Sequence, residues 1–196
     1  MKTGRLEAFS DGVLAIIITI MVLELRAPEG HELIDLLGSA NSLLTYLLSF
    51  VFIGIYWNNH HHMFQIAEKV DGAGLWANLA LLFWLSLLPF TTAWVEESHF
   101  AQTPVIVYGV NLLMAGLGYF ILQKVLMRID PQGRLARAVG IDVKGTTSVV
   151  LYVAGIVCGF VNVWLAMGCY IAVALIWLIP DRRMERAVID AESREA

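Results

Sequence analysis

Arg5-Leu6-Glu7-Ala8-Phe9-Ser10-Asp11-Gly12-Val13-Leu14-Ala15-Ile16-Ile17-Ile18-Thr19-Ile20-Met21-Val22-Leu23-Glu24-Leu25 is the stretch whose reading decides the fold. From Gly12 to Leu23 it carries no charge, and with its flanks it reaches the roughly 20 mostly apolar residues that an α-helix needs to cross a bilayer. Asp11 nevertheless stands at the edge of that span. An ionisable group there is costly, and such groups face a protein interior and mark an ion path or a structural polar network. The segment reads as a membrane-spanning helix and as the functional one.

Composition extends this reading to the whole chain. Its 196 residues are 58% hydrophobic and 15% charged, with a mean hydropathy of +0.69, whereas a soluble domain is about 45 to 50% apolar and about 25% charged. An all-α integral membrane protein follows, with room for about five or six crossings and little outside the lipid. That excludes a soluble catalytic domain, so no enzyme and no cofactor are expected. A net charge of -4, without a basic stripe interleaved with aromatics, argues against nucleic acid as a partner. Cys158 and Cys169 lie in apolar runs without CxxC or histidine spacing and read as packing residues. The first apolar run contains Asp11 and Glu24 and ends in Leu25-Arg26-Ala27-Pro28. It reads as a retained helix, not a signal peptide.

Six helices are expected. The first runs from about Arg5 to Leu25 and stops at the turn Pro28-Glu29-Gly30. The second runs from about Leu33 to Phe64. The third follows Asp71 as N-cap and reaches about Trp94, kinked at Pro89 because proline removes a backbone bond. The fourth opens at Thr103-Pro104 and continues to about Met127, before a turn at Asp130-Pro131-Gln132-Gly133. Thr146 to Pro180 is too long for one crossing, and is split at Gly159-Phe160-Val161-Asn162 into a tight hairpin. Residues 1–180 thus form the transmembrane domain, and 181–196 a charged cytoplasmic tail. With six crossings and both termini cytoplasmic, Arg26 alone of the lysines and arginines falls outside, as the positive-inside rule requires. The external loop with Glu96, Glu97 and His99 reads as a solvated acidic segment.

This topology brings Asp11 to the same depth as Trp57-Asn58-Asn59-His60-His61-His62, the last turns of the second helix. Arg5, Trp57, Asn58 and the imidazoles are available donors to the carboxylate. Neighbours on a helix lie about 100° apart, so at most one or two of the three histidines join a buried network. A structural hydrogen-bond network is the favoured reading, ahead of proton sensing, and the spacing lacks the i, i+4 pair that a metal site would use. On a wheel with Ile16 at zero, Ile20 falls at about +40°, Leu23 at about -20° and Thr19 at about -60°, with Asp11 near -140° and Ser10 near +120°. The apolar stripe and the polar pair point apart. By periodicity alone such a stripe is a packing surface or lipid face more often than a pore lining.

Arg5-x-x-x-Phe9-Ser10-Asp11 followed by an Ile/Leu-rich helix resembles the opening motif of the transmembrane protein 175 family of potassium channels, in its short prokaryotic form. Trp57-x-x-His60-His61 and six crossings in about 200 residues also fit that family. The resemblance implies a homotetramer in a bacterial plasma membrane, passing potassium ions and other monovalent cations more weakly. The first helices would surround a pore constricted by Ile16, Ile20 and Leu23, with Thr19 a polar layer beside them. Arg5, Phe9, Ser10, Asp11, Trp57, Asn58, His60 and His61 would hold that helix from behind. No Thr-Val-Gly-Tyr-Gly filter sequence is present, so only modest selectivity is expected. A proton-coupled secondary transporter built on the Asp/His cluster is the alternative.

Overall fold

The computed structural model describes residues 3–28, 30–67, 69–140 and 142–178; the charged tail read from Asp181 lies outside them. Helix α1 spans Gly4–Leu23, a single turn α2 Asp35–Gly38, α3 Ala40–Ile66, α4 Gly72–Ser86 and α5 Leu88–Glu97. Helix α6 spans Gln102–Arg128, a short α7 Arg134–Val139, α8 Val143–Gly159 and α9 Val163–Leu178. Among the described residues, four segments are long and apolar enough to cross a membrane: α1, α3, α4 with α5 as Gly72–Glu97, and α6. The apolar helices α8 and α9 are shorter.

The ends of the elements follow from local chemistry. Asp71 caps α4 by accepting from the Gly74 amide at 2.8 Å. Asp142 caps α8 through Gly145 at 2.7 Å, which starts that helix before the expected Thr146. The expected kink near Pro89 is a break at Leu87, with Pro89 in the first turn of α5, where its missing N–H has no helical acceptor to lose. The second long helix begins at Ala40, not Leu33, because the weak helix formers Gly38 and Ser39 interrupt it after one turn. Helix α7 was not anticipated; its Leu135, Ala138 and Val139 are buried, while Ala136 and Arg137 are exposed. The hairpin turn at Gly159 to Asn162 is tied from across the bundle by Gln102, whose side-chain amide donates to the carbonyls of Gly159 and Phe160 at 3.1 and 2.9 Å.

Helix α6 packs on α4, α5, α8 and α9, whereas α1 packs on α3, α4 and α5. Small residues set the closest approaches, as membrane bundles require in the absence of a hydrophobic drive between helices. A Cβ at Gly118 of α6 would lie 3.1 Å from the Leu81 Cα of α4. The ring of Tyr170 on α9 occupies the space that side chains at Gly109 and Gly155 would need, joining α9 to α6 and α8. At the turn into α6, His99 and Phe100 hold left-handed conformations, φ 51° and 61°, which disfavour side chains. The Phe100 amide donates to the Val95 carbonyl at 2.9 Å, and its ring packs on Trp164 with centroids 5.1 Å apart.

Candidate functional site on the first helix

Helix α1 has two faces. Leu6, Ser10, Leu14, Ile17 and Met21 are buried against the rest of the bundle. The opposite face exposes Phe9 by 50%, Ile16 by 59%, Ile20 by 43% and Leu23 by 80%. A side chain added at Gly12, on this second face, would meet nothing within 4 Å. Thr19 lies on it too, its hydroxyl donating to the Ile16 carbonyl at 2.8 Å. That bond leaves the oxygen lone pairs of Thr19 available to a ligand. The stripe read from the helical wheel is therefore the part of α1 that the rest of the described chain leaves uncovered.

The polar residues behind it separate into two sets. In the buried set, Ser10 donates to the Leu6 carbonyl at 2.9 Å and accepts from the Asn78 amide at 3.0 Å. Asn78 Oδ1 lies 2.8 Å from Nε2 of His60, whose ring stacks on Phe64. In the second set, nearer the surface, Trp57 Nε1 donates to Asp11 at 3.1 Å and stacks on His61. His61 Nδ1 lies 2.7 Å from Glu7. Asp11 and His60 thus belong to different networks, although topology brings them to one depth. Adjacent positions on α1 diverge by about 100°, which sends Ser10 toward α4 and Asp11 toward α3.

Within the protomer, Arg5 is exposed and forms no hydrogen bond or ion pair with the described residues, and Asn58 is half-buried with no side-chain hydrogen bond to them. Neither donates to Asp11, which corrects their expected role as its donors inside one subunit. Two participants were missed by the sequence reading. Glu7 lies one turn before Asp11 on the same face, and Asn78 is an amide deep in an apolar helix, where it must find a partner. Both signals were present in the sequence.

At the opposite end of the bundle, the glutamates read as a solvated loop have specific partners. Arg26 pairs with Glu97 at 2.8 Å, and Ser42 donates to Glu96 at 2.6 Å. They tie the chain leaving α1 and the start of α3 to the end of α5.

A family model described as "Endosomal/lysosomal potassium channel TMEM175" matches residues 5–89. A protein of a Chryseobacterium species named as a potassium channel is 52% identical over 96% of this chain and 98% of its own length. The crystal structure of a lysosomal potassium-selective channel TMEM175 homolog from Chamaesiphon minutus superposes with a TM-score of 0.77 at 31% identity, covering 90% of this chain and 96% of that one. The endosomal/lysosomal proton channel TMEM175 of Danio rerio is 34% identical over 58% of this chain and 22% of its own length.

Proposed function

This chain belongs to the TMEM175 family, and from that premise we propose a potassium channel whose pore is lined by the α1 helices of four protomers and is narrowest at Ile16. It is a multi-pass membrane protein, and the bacterial plasma membrane is its proposed site. Ile20 and Leu23 continue the constriction, Thr19 adds a polar layer, and both networks behind α1 hold the helix in place. The observation that carries this reading is the stripe of Ile16, Ile20 and Leu23, exposed on a helix whose other face is buried. One subunit cannot enclose a pore with a single helix, whereas closed cyclic symmetry brings copies of that face together.

Potassium crossing such a ring must shed water against walls that offer no replacement ligand, which makes the ring a hydrophobic gate. The relatives named as channels favour this reading over the proton-coupled transporter. Single-channel recording of purified protein in asymmetric potassium and sodium is the test. Unitary steps with a reversal potential displaced toward potassium are expected; gradient-coupled flux without unitary steps would overturn it.

A further inference from the structure

On the side of the bundle away from α1, a cavity of about 270 Å³ lies between α3, α6 and α8. Phe52, Ile55, Phe120, Val149, Val150 and Tyr152 are among the residues that line it, and its wall is mostly apolar. The polar groups at one end are already engaged. Asp142 caps α8, Asn59 donates to the Ile55 carbonyl, and Ser148 accepts from Trp177. An apolar cavity of about 150 Å³ stays dry and binds small hydrocarbons, so this larger space calls for an apolar occupant. Phe120 and Val150 are exposed and mark its opening. At the same end stand two ammonium groups, Lys124 over the Phe120 ring at 5.1 Å and Lys144 over the Trp177 ring at 5.7 Å. Charge asymmetry assigns that end to the cytoplasm.

We infer that this cavity is a binding site for an anionic phospholipid of the inner leaflet, with an acyl chain between α6 and α8 and the phosphate near Lys124 and Lys144. The dimensions and the charge belong together: a largely apolar slot opens at the level where long lysines reach from hydrocarbon to headgroups. The inference rests on the axial placement of α1, because α1 packs on α3, α4 and α5, leaving the α6 and α8 surface on the periphery.

The probe is a phosphatidylglycerol carrying a diazirine midway along one acyl chain, in phosphatidylethanolamine liposomes holding the full-length protein, with labelled peptides mapped by mass spectrometry. Label should concentrate on Phe120, Val149 and Val150, and Lys124→Gln and Lys144→Gln should each lower it about fivefold, near the effect of one basic residue at a membrane surface. Val150→Trp, which fills the opening, should abolish it. Label spread evenly over α6, α8 and α9, or label indifferent to both lysines, would overturn the site. Cysteine crosslinking in the same liposomes separates this from the pore. An intersubunit bond through Val150→Cys would make the cavity face a protomer contact and refute the lipid site, whereas failure of Ile16→Cys to crosslink would refute the axial α1 instead.

Discussion

At Ile16 the proposed constriction can be tested through the chemistry of one side chain. Ile16→Asn supplies amide oxygens to the proposed ring and Ile16→Ala widens it; both should raise cation current and lower the preference for potassium over sodium. Ile17 is buried, 3% exposed, so Ile17→Asn should reduce folded protein instead. Recordings at matched surface expression, with protein quantified alongside, compare the three. Unchanged conductance and selectivity in both Ile16 variants would move the constriction to Ile20 or Leu23. Behind the helix, Asn78→Ala leaves Ser10 without its donor and the His60 Nε2 without its partner, at about 1–3 kcal/mol for each buried group left unpaired. Asn58→Ala removes no hydrogen bond to the described residues. Thermal unfolding in detergent should therefore show a clear loss for Asn78→Ala and almost none for Asn58→Ala, and equal losses would mean that the Ser10-Asn78-His60 chain is not what anchors α1.

At the scale of elements, the bundle depends on where helices approach without side chains between them. Gly118 is such a point, with Leu81 backbone where a Cβ would need space. Gly118→Leu forces α4 and α6 apart, and overpacking of this kind costs about 1–3 kcal/mol, with larger losses where backbone must move. Expression of monodisperse protein should fall sharply, and the defect should appear before any effect on conduction. Helix ends are governed more locally. Asp71 and Asp142 each sit three residues before a glycine whose amide they accept, so the starts of α4 and α8 were recognisable as capping positions. The beginning of α3 was harder to read, since Leu33, Ile34, Leu36 and Leu37 around Asp35 keep the stretch largely apolar, and the weak propensity of Gly38 and Ser39 breaks it.

For the whole molecule, assembly and folding separate at Gly12. Within the protomer a side chain there meets open space, yet the same position lies about 40° from Ile16 on the face proposed to meet its copies. Gly12→Leu should thus leave the chain folded, by circular dichroism and unchanged helix content, while shifting it from the proposed tetramer to smaller species in native mass spectrometry. Cysteine at Ile16 should crosslink into a ladder ending at four subunits, and cysteine at Ser10 should not, because Ser10 is fully buried. A Gly12→Leu protein that remains tetrameric, or preferential crosslinking through Ser10, would place another face at the axis.

The sequence by itself determined the class of the molecule. Apolar runs of crossing length, interrupted by proline, glycine and aspartate at the ends, leave membrane helices as the structure able to satisfy their backbone groups. The 100° step also separated Ile16, Ile20 and Leu23 from Ser10 and Asp11, because helical geometry is local and needs no knowledge of neighbours. Partnership was a tertiary matter. That Ser10 meets Asn78 across 68 residues, and Glu7 meets His61 across 54, depends on how α1 is rotated against α3 and α4. Rotation is set by packing summed over many small contacts, and an apolar stripe alone leaves it open. The same holds for the cavity beside Phe120 and Val150, which no single helix contains, since it is the space left where three helices meet.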